Sequence, residues 1–269
     1  GPLTAFMAAL DADVLAALAR SQTQVLWRGA IGEETGNLGA EEAVAAGLRA
    51  DECVVLEPTD LHVVHAHKGA CWFVAATRGR AAHASDPTRG DNAILKMPAV
   101  WQILAEATAA AGEIHCSETL GKPTVSVGTI RGGTGTNVVP DRCEIQVDRR
   151  LMPGETAAQV LADLQARFAA IPGGVEIQLL KEGLAFHTAA EADVVRRFSA
   201  ALAEAGVVPV REGAAWCSDA GPLAPVCGGT IVWGPGAIAQ AHTADEFIEA
   251  RALETGVQVL RRYLLAAAA

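Results

Sequence analysis

The sequence lacks several features that would assign it to a class at once. No apolar stretch approaches the roughly 18 residues needed to cross a bilayer, so no membrane-spanning segment is expected. The N-terminus has neither a basic n-region nor an apolar signal core. The cysteines Cys53, Cys71, Cys116, Cys143, Cys217 and Cys227 form no CxxC pair and no dense framework. Reduced thiols in a cytoplasmic protein are the simplest expectation. Basic residues are outnumbered: Lys and Arg total 21 against 31 Asp and Glu, for a net charge of −10. That balance argues against nucleic acid and against an anionic membrane as partners. The single tyrosine decides nothing.

What is present is apolar mass. Of 269 residues, 51% are hydrophobic, enough to bury a large core in one large or two medium domains. The chain opens Gly1-Pro2-Leu3 and enters one apparent helix, "LTAFMAALDADVLAALA". Proline in a first turn is ordinary. A domain with no strand ahead of that helix is not, so further sequence upstream is expected. Sheet strands there would be missing neighbours of the first helix and of the next segment, leaving apolar surface exposed.

"TQVLWRGAI" reads as a strand, "GNLGAEEAVAAGL" as a turn and helix, and "DECVVLEP" as a short strand ended by Pro58. Strand alternating with helix points to an α/β domain with a mostly parallel sheet. The pattern then changes. "ACWFVAATRGRA", "NAILKMPAVWQILAEATAAA", "PTVSVGTIRGG", "VVPDRCEIQVDRRL", "ETAAQVLADLQARFAAI" and "GVEIQLL" read as strand, helix, strand, strand, helix, strand. That order is the ferredoxin-like βαββαβ unit. The first texture returns with a helix in "EADVVRRFSAALAEAG", a strand and loop in "GGTIVWGPG" and a C-terminal helix from "DEFIEARALE". The expected organisation is an α/β domain from 1–69 and 185–269, interrupted by an inserted domain at 70–184.

Ligand sites of open α/β sheets lie beyond the carboxyl ends of strands. Glu33, Glu34, Glu57 and His242 all fall at such ends. Glu34, Glu57 and His242 make a reasonable ligand set for Zn²⁺ or Co²⁺. Glu33, adjacent to Glu34 but pointing elsewhere, could then act as a general base. The competing reading of the acidic pair is a solvated turn at a helix N-terminus, where the dipole favours acids.

Six segments decide between these readings. "EETGNLGA", "LEPTDL…HKG", "GRAAHASDPTRGDNAI", "GTIRGGTGTNVVPD", "DRRLMPGE" and "GPGAIAQAHTADEFIE" occur in this order across nearly the whole chain. Together they resemble the two-metal family of acetylornithine deacetylase, succinyl-diaminopimelate desuccinylase, aminoacylase and carboxypeptidase G. The "EPT…HKG" and "GPG…Q-AH…DE" segments are most similar to acetylornithine deacetylase.

The resemblance implies metal-dependent hydrolysis of an N-acyl amino acid, with two zinc or cobalt ions per intact site. It implies Glu33 as general base, Glu34 and His242 as ligands of one metal, and Glu57 as a ligand of the other. His83 in "AAHAS" matches a histidine that polarises the scissile carbonyl from the partner subunit. Asn137 and Arg150 match positions that hold the substrate carboxylate, a task suited to a planar guanidinium. Arg149 and Arg150 are sent to opposite faces of a strand, so at most one can serve. Arg150 is the choice by motif, with Arg149 in reserve. Gly234 and Gly236 would shape the loop beside the metals. The inserted domain would form a homodimer, through the strand beginning near Ala70 and the helix starting near Asn92.

Each residue also has a bland reading. Glu57 could simply end a strand, His83 could be a surface histidine, and Asn137 tolerates a left-handed turn. His65 and His67 in "HVVHAH" share a strand face like a metal pair, but no third ligand converges on them and the family places none there. That segment is expected to be the hinge into the inserted domain. His62, His115 and His187 have no assigned partner.

Relatives carry an upstream HxD histidine and a bridging aspartate just before the lysine-glycine that opens the first helix. Neither lies within these 269 residues, so this chain alone is expected to be poorly active. The alternative function is a short, non-catalytic relative that dimerises or binds ligand. Retention of Glu33, Glu34, Glu57 and His242 together favours the hydrolase.

Overall fold

The computed structural model describes residues 1–33, 36–241 and 243–269. The expected metal ligands Glu34 and His242 therefore lie outside the described residues. The chain begins with α1 (Pro2–Ala9), α2 (Ala12–Arg20), α3 (Leu38–Ala45), β1 (Cys53–Val55) and β2 (Val63–His67). It continues through β3 (Gly69–Arg78), α4 (Met97–Ile114), β4 (Thr124–Gly132), β5 (Arg142–Leu151), α5 (Ala157–Phe168) and β6 (Val175–Gly183). It closes with β7 (Phe186–His187), α6 (Asp193–Glu204), β8 (Arg211–Ala214), α7 (Ala220–Leu223), β9 (Thr230–Val232) and α8 (Ala250–Ala267). Two compact units result: Gly1–His67 with Phe186–Ala214 and Ser218–Ala269, and Lys68–Ala185 with Ala215–Cys217.

The first unit is α/β. Its sheet runs β1-β9-β2-β7, with β8 also pairing to β2. The β1/β9 and β2/β8 pairs are parallel, and the β2/β9 and β2/β7 pairs are antiparallel. Helices α1, α6 and α8 supply much of its core, which includes Phe6, Val195, Phe198, Leu202, Trp233, Leu260 and Tyr263. The Phe198 ring lies 4.9 Å from Trp233 and 4.8 Å from Tyr263, centroid to centroid, a spacing favourable for tilted aromatic pairs.

The opening helix is in fact two, bent by 68° at the break between α1 and α2. Asp11 is the cause. Its carboxylate accepts the Val14 N–H at 2.9 Å, capping α2, because an N-cap carboxylate satisfies an otherwise orphan donor. Arg261 donates to the other oxygen at 2.6 Å and holds the carboxyl below its usual range. Apolar periodicity carried across the break and hid it. No single helix among the described residues is long and apolar enough to cross a membrane.

The expected strand at 23–31 does not form. Thr23 ties its start to the Ala267 carbonyl at 2.6 Å, and the Ile31 carbonyl accepts the Gly39 N–H at 2.9 Å. Between these anchors the backbone pairs with no described strand, and Val25, Leu26, Trp27 and Ile31 are exposed. A β-like composition makes a strand only where a neighbour completes the ladder.

The second unit is a four-stranded antiparallel sheet in the order β4-β5-β3-β6, the ferredoxin-like arrangement. Met97, Val100, Leu104 and Ala107 line the buried stripe of α4 at helical spacing. They join Phe73, Ile145, Val147, Leu164 and Phe168 in one core. A capping box at Thr156 and Gln159 starts α5. The strand beginning near Ala70 is not an edge: β3 lies between β5 and β6. The edges are β4 and β6, so the proposed pairing strand of a dimer has to be sought there.

Arg149 and Arg150 separate as alternation requires. Arg149 is buried on the core face and meets Glu155 at 2.7 and 3.2 Å. Glu155 also accepts the Met152 N–H at 2.8 Å, so this guanidinium is committed to holding the turn after β5. Removing one partner of a buried ion pair strands the other charge. Glu155→Ala is therefore expected to cost about 3–5 kcal/mol, read as a lower urea midpoint. A loss under about 1 kcal/mol, the range of exposed pairs, would contradict that role.

Candidate active site

Glu33 sits in a tight turn ahead of α3. Its carbonyl accepts the N–H groups of Gly36 and Asn37, each at 3.3 Å, and the Gly32 carbonyl accepts Asn37 N–H at 3.0 Å. Closing so short a loop needs positive φ, supplied by Gly36 at 134° and Asn37 at 60°. Asn37 is buried, and its side-chain amide donates to Asp219 at 2.9 Å. Asp219 stands at the start of α7, and its neighbour Ser218 is bound to His67. A chain of hydrogen bonds thus runs from the middle of the sheet to the turn that carries Glu33.

Glu57 follows β1, where its backbone is gripped by the loop after β9. A Cβ on Gly234 would meet the Glu57 carbonyl oxygen at 2.5 Å, closer than any side chain can come. Thr59 and Leu61 N–H groups donate to the Gly234 carbonyl at 3.1 and 3.2 Å, and Asp60 N–H donates to that of Gly236 at 2.7 Å. Gly236 takes φ 99°. The buried Trp233 indole donates to the Leu61 carbonyl at 2.9 Å. The structure therefore brings Glu57, Gly234 and Gly236 together, and this packing requires glycine at 234.

In the second unit His83 and Asn137 are joined. Ala84 N–H donates to the Asn137 carbonyl at 2.9 Å and Val139 N–H to the Ala82 carbonyl at 2.8 Å, with His83 bridged to Val138. Both side-chain positions are exposed. Arg150 stands on the opposite face of β5 from Arg149 and pairs with Asp148 at 2.8 Å. Lys68, buried and donating to the Lys122 carbonyl at 2.6 Å, has its ammonium pKa lowered by burial and then by repulsion from Arg149 and Arg150. Arg150 is half-buried, with Asp148 as its ion-pair partner and the Lys68 ammonium near enough to feel its charge.

The histidine pair of β2 is structural. His65 Nδ1 lies 2.8 Å from the Thr188 carbonyl oxygen, and His67 Nε2 accepts Ser218 N–H at 3.1 Å. Both rings are buried, in a strand that is part of the first unit's sheet. His62 lies 3.0 Å from Glu212, and the His187 ring 6.0 Å from that of His65.

Carboxylate oxygen and imidazole nitrogen are the donors zinc and cobalt take. Among the described residues no three His, Cys, Asp or Glu side chains gather as they would around an ion. Glu57 is the described member of the expected ligand set, so these residues alone do not build a complete metal centre.

Asn37 and Asp219 were not foreseen as part of the site. The signal at Asn37 was its place between a glycine and a helix start, where asparagine tolerates the left-handed region. Asp219 carried no signal, because its partner lies 182 positions away.

Residues 65–175 match the peptidase dimerisation domain of the M20 family. The chain is 32% identical over 227 residues to acetylornithine deacetylase of Edwardsiella ictaluri, covering 80% of this chain and 57% of that protein. It is 33% identical over 239 residues to acetylornithine deacetylase of Myxococcus xanthus, covering 86% and 61%. An M20 family metallo-carboxypeptidase from Sulfolobus solfataricus superposes with a TM-score of 0.73 at 17% identity, over 98% of this chain and 75% of that one. Aminopeptidase PepT from Bacillus cereus superposes with a TM-score of 0.69 at 24% identity, over 89% and 63%.

Residues 65–175 therefore carry the dimerisation domain of the M20 peptidase family, and the chain has the fold of a solved structure of that family. The sequence is similar to acetylornithine deacetylase, and the chain spans 57–61% of the length of the two such relatives described.

The Glu33 turn makes a backbone prediction. Asn37→Gly keeps the left-handed conformation and loses only the bond to Asp219, whereas Asn37→Ala loses both. The alanine variant is expected to be less stable than the glycine variant by about 1 kcal/mol in denaturant titrations. An alanine variant as stable as the glycine variant would show that φ at this position is not a constraint.

Proposed function

We propose that the protein hydrolyses the amide bond of an N-acyl amino acid, as an acetylornithine deacetylase-like enzyme using two divalent cations, zinc or cobalt. The observation that carries this reading is the 33% identity to acetylornithine deacetylase over 86% of the chain. The braced Glu33 turn and the Glu57–Gly234 contact support it. Glu34 and His242 would hold one cation and Glu57 would contribute to the other. When bound, the cations supply Lewis-acid polarisation of the carbonyl and of water.

The chain's own residues have separable tasks. Glu33 takes a proton from the attacking water and returns it to the departing amine. His83 donates a hydrogen bond to the carbonyl oxygen as negative charge develops there. Asn137 and Arg150 hold the substrate carboxylate, Arg150 through its planar guanidinium, which can bind both oxygens. Gly234 and Gly236 keep the loop close to Glu57.

This division explains two adjacent acids. In a form of the protein whose two-metal site is complete and loaded with zinc or cobalt, Glu33→Gln is expected to abolish release of amine from N-acetyl-ornithine and related N-acyl amino acids while bound metal stays near its normal level. Glutamine keeps the shape and cannot accept the proton. Glu34→Gln is expected to lower metal content, since it removes a charged ligand oxygen. Equal metal loss in both variants, or hydrolysis indifferent to chelator, would contradict the assignment.

We also propose a homodimer formed by the second unit, now through β4. It is an edge of the sheet, nearly all its residues are exposed, and Val127 and Ile130 are among them. An apolar, unpaired edge readily adds a second copy across a two-fold axis. The double variant Val127→Lys, Ile130→Lys is expected to sediment as a monomer with an unchanged circular dichroism spectrum. A dimer as tight as that of the unaltered protein would exclude β4.

A further inference from the structure

A neutral histidine can donate a hydrogen bond only from the ring nitrogen that carries the proton, and its surroundings decide which one does. At His83 they decide through a neighbour two residues on. Ser85 N–H donates to His83 Nδ1 at 3.2 Å. A backbone N–H cannot accept, so Nδ1 must keep its lone pair, and in the neutral ring the proton resides on Nε2. The Ser85 hydroxyl lies 2.7 Å from the same atom and can only reinforce this by donating. The backbone beneath is fixed by the pairing of 82–84 with 137–139 and by the Asp86 N–H, which donates to the His83 carbonyl at 3.0 Å. Among the described residues none hydrogen-bonds Nε2.

We propose that Ser85 is a positioning residue that locks His83 as the Nε2–H tautomer and so makes it a hydrogen-bond donor ready for a carbonyl oxygen. The catalytic part of this inference rests on the hydrolase reading above; the tautomer itself does not. The opposite tautomer would put the proton against the Ser85 N–H and leave Nε2 as an acceptor, which repels a developing oxyanion. Ser85 acts on the reaction through the ring alone. It supplies two donors: the hydroxyl, which substitution removes, and the backbone N–H, which nearly every substitution keeps.

The test is ¹⁵N spectroscopy of the full chain labelled at histidine, at a pH near 8, where an ordinary imidazole is neutral (~6.5). The His83 signals are assigned by their loss in His83→Gln. The expected result is a protonated Nε2 and an unprotonated, hydrogen-bonded Nδ1. Ser85→Ala should move the Nδ1 signal toward that of a less strongly bonded nitrogen, and Ser85→Thr should restore it. In the hydrolysis assay Ser85→Ala should lower kcat about 2- to 10-fold, the worth of one hydrogen bond, with KM little changed.

His83→Gln, whose amide nitrogen can reach the Nε2 position, should retain more activity than His83→Asn, whose amide reaches only the Nδ1 position. A protonated Nδ1 in the unaltered protein overturns the lock, and an Nδ1 signal unmoved by Ser85→Ala overturns the part assigned to the Ser85 hydroxyl. An Nε2–H ring, together with no hydrolysis of N-acyl amino acids by a form whose two-metal site is complete and loaded, supports the lock and refutes the hydrolase reading instead.

Discussion

The approach of two backbone segments, Glu57–Leu61 and Trp233–Gly236, is the constraint on which the first unit's site depends. Parallel pairing of β1 with β9 delivers both segments to the same end of the sheet. A side chain at Gly234 would collide with the Glu57 carbonyl, and the freed space is filled by backbone hydrogen bonds to Thr59, Asp60 and Leu61. Trp233 closes the arrangement from below, buried against Phe198 and bonded through its indole to Leu61. Core packing and placement of Glu57 are thus one structural fact. A substitution at Gly234 would be felt at Glu57 before it was felt anywhere else.

The Glu33 turn is held on a different principle. It has no strand on either side to fix it, because residues 23–31 stay outside the sheet. It relies on left-handed backbone at Gly36 and Asn37, and on one buried amide reaching Asp219. His67 and Ser218 continue the connection into β2. These polar groups are all satisfied, as a low-dielectric interior requires. They give the loop that carries Glu33 a defined position.

The βαββαβ order was legible because α4 carries a buried stripe at helical spacing and β5 alternates along its length, and because Thr156 and Gln159 carry a recognisable capping box. The opposite faces of Arg149 and Arg150 followed from strand alternation, whereas the choice of Arg150 came from the motif. Other features were hidden for physical reasons. The break at Asp11 lies inside a continuous apolar pattern. β7 and β8 are two and four residues long, too short to show a period. The segment 23–31 has strand composition without a partner, which composition cannot reveal. The interior position of β3 depends on pairing across distant sequence. Ser85, Asn37 and Asp219 act through single hydrogen bonds whose partners are set by the fold. Of the expected site, the Glu57, Gly234 and Gly236 grouping and the His83, Asn137 grouping each emerge within one unit, and the latter is made by main-chain pairing that no motif encodes.

The acids and the histidine at the strand ends are proposed to serve a metal-dependent hydrolase. Anomalous diffraction at the zinc edge, from crystals of the protein grown with zinc, tests this role most directly. Two ions are predicted, one with the Glu34 carboxylate and the His242 ring among its ligands and the other with the Glu57 carboxylate, with Glu33 close by but unbound. Zinc found instead on His65 and His67, or no ordered zinc near Glu57, would contradict that role.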